Sequence, residues 1–396
     1  MSGGPAGGFK QSLPWVIATL IAVHACMAVT RVAASLWVLH HGYGEWTVGV
    51  LLSLFAVAPI GLSLWAGQVS DRHGFHRPVG MGVVMSLVGA VVALLGSGLP
   101  AIAFSCLLSG GGLCMSAVAI QREAGHLADD ASELKRVFSW VALGPALSNS
   151  IAPVITGVLI DHLGFHAAFV LAALLPLLAW RLALKVPRLA VKAMPAAPVP
   201  AKSRPAWDLL RQPSLRNLLL VNVVLSACWD SHSFVVPVVG HAKGLSASSI
   251  GLVLGSFAVA ATVVRLAIVR WARHLDELQA LRWAMALAAA MLLVYAWLPG
   301  TIGLMAGSAI LGLALGSVQP MILATLHQVT PSDRHGQALG LRMLMVNAAT
   351  ASMPMGFGVL ASATVAAAPM WLMAGLLMLA QWPAAHVARQ CETALP

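Results

Sequence analysis

Four ionisable side chains stand inside long apolar runs of this sequence. His24 and Arg31 fall in HACMAVTRVAASLW, and Asp230 and His232 fall in LSACWDSHSFVVP. A charge at the centre of a membrane-spanning helix costs about 2.5–3.5 kcal/mol on insertion scales, so such a group faces a partner or a water-filled cavity. A buried carboxylate favours its protonated form when alone and its ionised form beside a cation. Asp230 and Arg31 together therefore have the chemistry for reversible proton binding. The competing reading is a fixed Asp230–Arg31 or Asp230–His232 pair that only holds helices together. His24 lies seven residues before Arg31 on the same helix face, as an interhelical contact or a proton relay. Asn149, Gln319 and Asn347 add neutral hydrogen-bonding groups suited to lining a solute cavity.

Other chemistries find no support. Cys228 and His232 share one helix face, and Met353 and Met355 flank Pro354, which are soft-metal ligand types. The 17 methionines do not form repeated ligand pairs, however, so no metal is expected. No Ser-His-Asp arrangement, metal-binding helix or phosphate loop GxxxxGKS is present, so the sequence predicts neither an enzyme nor a cofactor, and ATP-driven transport would need another subunit.

The elements that carry these residues follow from composition. The chain has 396 residues, of which 59% are hydrophobic and only 9% charged. Soluble domains carry roughly 25% charged residues. The apolar runs divide into twelve spans, 13–39, 46–69, 78–97, 100–121, 137–160, 166–186, 213–239, 246–269, 278–298, 301–325, 337–361 and 364–387. Each approaches the roughly 20 apolar residues that cross a bilayer as helix. The net charge of +10 would suit a nucleic-acid binder if it were clustered. It is not: 19 Lys and Arg residues fall in segments on the N-terminal side of the bilayer, against Lys243 alone on the other. That bias predicts cytoplasmic termini, a lipid environment and no nucleic-acid partner. Arg265 and Arg342 lie towards the cytoplasmic ends of spans and are expected to snorkel. The tryptophans Trp15, Trp46, Trp140, Trp180, Trp271 and Trp371 fall near span ends, as an interfacial belt does. The five cysteines read as reduced packers, and the first apolar run as a retained helix.

The segment 187–212 is rich in Pro and Ala and reads as an extended cytoplasmic linker. It divides the chain into six spans (1–186) and six spans (213–396). These halves are related: GYGEWTVGVLLSLFAVA at 42–58 is similar to GLSASSIGLVLGSFAVA at 244–260, an offset of 202 residues. An offset of 201 sets Pro153 against Pro354 and Gly157 against Gly358.

Residues 67–77, GQVSDRHGFHR, resemble the signature loop of the major facilitator superfamily at Gly67, Asp71, Arg72, Gly74 and Arg77, with His76 where a basic residue is usual. The resemblance implies an all-α membrane protein of two pseudo-symmetric six-helix bundles. It also implies a conformational gate in this loop, with Arg122 as a partner of Asp71. Physically, Gly67 is expected to allow close helix approach and Gly74 a tight reversal. In the second half the loop is degenerate, with Val269, Arg273 and His274 at the positions of Gly67, Asp71 and Arg72. In the fifth span, ALGPALSNSIAPVITG resembles the Gly-Pro motif of family antiporters at Gly144, Ala152, Pro153 and Gly157, although Ala152 and Thr156 replace glycines. Small residues every four positions also serve plain helix packing.

The resemblance implies a bacterial inner-membrane secondary transporter, expected as a monomer, that exports a small drug-like or metabolic solute against protons. Uptake of an organic anion, with Arg31 as counter-charge, is the alternative. A receptor that kept the fold is the alternative from another class. Two outcomes are expected. Accessibility of a C-terminal tag in intact cells should show a cytoplasmic terminus, and a periplasmic tag would refute the topology. Asp71→Asn should slow turnover with little change in solute affinity, and flux equal to wild type at matched expression would refute the gate.

Overall fold

The computed structural model describes residues 12–96, 98–126, 131–187, 206–271, 277–330 and 335–393. Among these residues are twelve helices long and apolar enough to cross a membrane, and no strands. In chain order they are α1 (Leu13–His40), α2 (Glu45–His73), α3 (His76–Leu95), α4 (Leu99–His126), α5 (Ala131–Leu163) and α6 (Phe165–Ala183), then α7 (Pro213–Ala242), α8 (Ala247–Trp271), α9 (Glu277–Val294), α10 (Gly300–Val329), α11 (His335–Ala363) and α12 (Ala368–Thr393). An all-helical solution is what the bilayer demands, because a helix satisfies every backbone polar group within its own segment.

Several helices outrun the predicted spans. α4 continues past residue 121 to His126, which makes Glu123 helical and leaves it 4% exposed. The linker is also not extended throughout. Ala206–Arg211 forms a 3-10 helix that buries Leu209 completely, and Asp208 pairs with Arg211 at 3.4 Å. A turn with one apolar anchor and an i,i+3 ion pair suffices to order this end of an otherwise Pro-rich segment. Residues 188–205 of the linker lie outside the described residues.

The repeat is written into the turns. Gly42 and Gly244, 202 positions apart, have φ of 76° and 69°, a left-handed conformation that favours glycine. Each ends its helix with the same pair of bonds. Gly42 donates to the Leu39 carbonyl and Tyr43 to the Val38 carbonyl, both at 3.1 Å; Gly244 donates to His241 and Leu245 to Gly240, both at 2.9 Å. This is the Schellman closure, which satisfies carbonyls orphaned at a helix end. Gly98 and Gly300, also 202 apart, both have positive φ, at 91° and 56°.

The chain forms two compact units that do not coincide with its sequence halves. The first takes the chain to Tyr43, then Leu51 to Pro195, then Ser246–Gly255; the second takes Gly44–Val50, Ala196–Leu245 and Ser256 onwards. The opening turns of α2 and α8 thus fall in a different unit from the rest of their helices. In the first unit, α3 and α4 meet backbone to backbone. A Cβ on Gly82 would collide with the Gly112 carbonyl and Ser116 Oγ, and one on Gly112 with the Gly82 carbonyl and Ser86 Oγ. Gly110 meets the Phe55 carbonyl of α2 in the same way, and in the second unit Gly312 meets the Phe257 carbonyl, again with a 202-residue offset. Lipid offers no hydrophobic drive between helices, so such close approach is a main source of association.

The same test corrects one expectation. Among the described residues, a Cβ on Gly67 would meet nothing within 4 Å, so there this glycine does not serve close helix approach. Gly74 does what was expected of it, reversing the chain between α2 and α3 at φ 70°. Gly82→Val and Gly112→Val should each destabilise the protein by about 1–3 kcal/mol, the usual range for overpacking. Gly67→Ala should leave stability unchanged. Thermal midpoints of the detergent-purified variants, read by loss of the monodisperse peak, would check this contrast.

Candidate functional site

In the first unit, α1 is the central element. Pro14 opens it at a position where its missing N–H is not needed. The helix is then held along its length by neighbours. The Cys26 thiol reaches the Ala172 carbonyl of α6 at 3.2 Å, and Thr30 Oγ1 donates to the Cys26 carbonyl at 2.9 Å. His24 is partly buried, with its Nδ1 enclosed and without a hydrogen-bond partner. Arg31, also partly buried, lies two turns further along the same face.

The small-residue stripe of α5 faces α1. A Cβ on Gly144 would press on Leu20; Ser148 Oγ donates to the Ile21 carbonyl at 2.9 Å; Ala152 packs in a cluster with Ala28, Val29, Ala90 and Ala172. Pro153 and Gly157 turn elsewhere, onto the opening of α8 within the same unit. There the Pro153 carbonyl contacts Gly251, and Gly157 fits against Ala247 and Ser248. The antiporter-like motif is therefore two packing surfaces on one helix. Asn149, beside it, is partly buried.

At the signature loop, Arg72 and Arg77 are exposed and Arg122 is partly buried. The side chain of Asp71 lies outside the described residues, as does that of Gln319. His76 Nε2 lies 3.2 Å from the carbonyl of Ala183, which ties the start of α3 to the end of α6. The unusual histidine in the motif thus has a definite packing role.

The second unit holds the richest polar centre, around α7. Asp230 is 6% exposed and His232 1%, with Cys228 and Ser231 fully enclosed. His232 Nε2 lies 2.9 Å from Ser308 Oγ on α10, and Ser308 Oγ lies 2.6 Å from the Tyr295 hydroxyl. The His232 ring stacks on Phe257 of α8, with centroids 4.2 Å apart and planes at 19°. Trp229 meets the same Phe257 edge-on, and the Arg265 guanidinium sits 5.7 Å from the Trp229 ring centroid, within cation–π range. Arg265 also donates from Nε to the Gly316 carbonyl at 3.2 Å. Arg342, only 5% exposed, donates from Nε to Asn222 Oδ1 at 3.3 Å.

These contacts correct the expectation of snorkelling. Arg265 and Arg342 are engaged with backbone and side-chain acceptors of neighbouring helices, because a guanidinium's several donors find acceptors there at short range. Asn347, expected in a cavity wall, is exposed. Asp230 belongs to the second unit and Arg31 to the first. Sequence reasoning missed Ser308, Tyr295, Asn222 and Glu123. Tyr295 carried a usable signal, being one of two tyrosines in the chain and set inside the apolar run 278–298. A buried serine such as Ser308 carries none, since serine is common in membrane helices.

Comparisons with known proteins agree with this architecture. No curated protein matches the sequence. Among solved structures, the chain is similar to a peptide transporter POT in complex with sulfate, with TM-score 0.76 and 15% identity over 96% of this chain and 95% of that one. It is similar to the nucleoside transporter NupG, with TM-score 0.72 and 13% identity over 96% and 98%. It is also similar to a bacterial homologue of the iron transporter ferroportin in an inward-facing state, with TM-score 0.70 and 15% identity over 96% and 98%. At such identities the likeness is one of fold. The family model of the Major Facilitator Superfamily matches residues 16–351 and again 218–388, which is most of the chain. Together with the twelve spans and the signature loop, this match shows that the chain belongs to the Major Facilitator Superfamily.

Proposed function

We propose that this protein is a proton-coupled exporter of a small organic solute, working by alternating access in the bacterial inner membrane with both termini cytoplasmic. The observation that carries the reading is Asp230, a carboxylate 6% exposed in the interior of the apolar helix α7. Carboxylates at that depth are expensive and are found where protons or ions are handled. Asp230 takes up and releases the proton, and Arg31, three residues past the α1 position that the 202-residue offset pairs with Asp230, offsets its charge in one state of the cycle. Pairing stabilises the ionised form, and protonation releases the cation towards solute or water. Each protonation state then favours a different conformation, and coupling requires that difference. His232 is held by Ser308 and stacked on Phe257, so it serves better as a fixed neighbour of Asp230 than as the carrier. His24 remains the alternative relay. The antiporter-like motif at Gly144, Ala152, Pro153 and Gly157 supports export, and Asn149, Gln319 and Asn347 are proposed as solute contacts.

A second reading is uptake of an organic anion. The cations within the apolar spans favour it, with Arg31, Arg265 and Arg342 as counter-charges for an anion. The direction of flux in liposomes separates the two.

A thermal-shift screen of purified protein would first identify a stabilising solute. Asp230→Asn, which mimics the protonated side chain, should then abolish accumulation driven by a pH difference alone. Exchange of solute at equal pH should persist near the wild-type rate. Accumulation by Asp230→Asn against a solute gradient would move the proton site to His24 or His232.

A further inference from the structure

A guanidinium carries only hydrogen-bond donors, so an amide that meets it must present its oxygen. In the second unit, α7 packs along α11. Asn222 of α7 is 2% exposed and Arg342 of α11 is 5% exposed. The Arg342 Nε–Asn222 Oδ1 bond therefore fixes which way the amide faces. It leaves Asn222 Nδ2, with its two N–H groups, enclosed and without a hydrogen-bond partner among the described residues. Buried amide donors are nearly always satisfied in folded proteins, so one that is not calls for an acceptor.

The contacts of the guanidinium point the same way. Its Nε meets a neutral oxygen at 3.3 Å, and its Nη1 reaches the Met343 thioether, a weak acceptor, at 3.8 Å. An ionised carboxylate makes charge-assisted bonds to a guanidinium that are shorter and roughly twice as strong as neutral ones. The residue type at position 222 matters here. An aspartate would close the site with a permanent ion pair. Asparagine instead brings further donors, so the Asn222–Arg342 pair carries a positive charge and supplies no negative one. As a plain tie between α7 and α11, the pair would need the amide oxygen but not the amide hydrogens.

The pair is also placed to meet a solute. α7 and α11 are four spans apart and so enter the membrane from the same side. Asn222 lies nine positions into α7 and Arg342 seven into α11, about 10–14 Å from the helix openings. The 3-10 helix Ala206–Arg211 packs on both helices, and its acid, Asp208, pairs with Arg211. Asp230 stands eight positions further along α7, about 12 Å deeper.

We propose that Arg342 and Asn222 form a binding site for the carboxylate of a small organic acid, with the guanidinium taking one oxygen and the Asn222 amide the other. The single positive charge matches a carboxylate, whereas a phosphate dianion would bring more charge than the pair neutralises. The assignment rests on the transport reading above, whose solute it names as a carboxylic acid, and it holds for either direction of flux.

Thermal midpoints of the purified full chain test this without knowledge of the solute. Sodium chloride would be exchanged for sodium acetate, or for sodium phosphate, at constant ionic strength. Acetate should raise the wild-type midpoint saturably by about 2–4 °C, as a ligand bound only by the folded state does. Phosphate should raise it less. Asn222→Asp supplies a fixed carboxylate to Arg342. Its midpoint without acetate should equal or exceed that of wild type, and acetate should add nothing. Arg342→Gln should also abolish the response, and Asn222→Asp carries the test if that variant does not fold. An absent acetate response in wild type would overturn the site, and so would an equal response in Asn222→Asp. A response to phosphate alone would overturn the carboxylate assignment. Proton-driven flux of a solute by a protein that gives no acetate response sinks this site and leaves the transport reading standing. An acetate response that Asn222→Asp abolishes, in a protein that moves no carboxylic acid in liposomes, leaves the site standing and counts against the transport reading.

Discussion

The structure depends on how closely helix backbones can approach one another in lipid. Hydrocarbon tails are as apolar as leucine, so burying leucine between helices gains little there. Contact between backbones gains dispersion and excludes lipid, and it requires residues without side chains at the crossing points. Gly82 against Gly112, Gly110 against Phe55 and Gly312 against Phe257 are such points, and all would be blocked by a single Cβ. Polar groups enter on the same terms. Ser148 on the Ile21 carbonyl, the Cys26 thiol on the Ala172 carbonyl and Arg265 on the Gly316 carbonyl each spend a donor on a neighbour's backbone.

The same constraint shapes the polar centre on α7. A bilayer admits an Asp and a His two residues apart only where neighbours satisfy them. Here α8 supplies an aromatic face for His232, and Ser308 and Tyr295 supply hydroxyls. The cluster holds His232 in one orientation, between Ser308 and Phe257. The first unit is built differently. Its α1 is held through small residues and backbone carbonyls, and its ionisable groups, His24 and Arg31, share one face.

The fold was legible in the sequence because a bilayer makes length and apolarity nearly sufficient. Twelve runs near 20 residues became twelve helices, and the 202-residue repeat reappears in the paired turns at Gly42 and Gly244. Asp230, His232, Gly144 and Gly157 were legible for the same reason, as residues out of place in an apolar or large-residue run. The misreadings share a different cause. Arg265 and Arg342 were expected at the water boundary, but acceptors on other helices engage them, and sequence distance says nothing about those. Gly67 matched a motif without revealing what it packs against. Asp161, which sequence reasoning passed over, accepts from the opening N–H groups of α8, a pairing 86 positions away. Long-range contacts of single polar atoms leave no periodic trace in one sequence.

Solute and proton movement in the same vesicle tests the central claim most directly. Wild-type protein would be reconstituted into liposomes holding a pH-sensitive dye, with a solute gradient as the only driving force. The account predicts that solute flux moves protons the opposite way, seen as a lumenal pH change that is absent from protein-free liposomes and collapses with a protonophore. Solute flux with no accompanying pH change would contradict it.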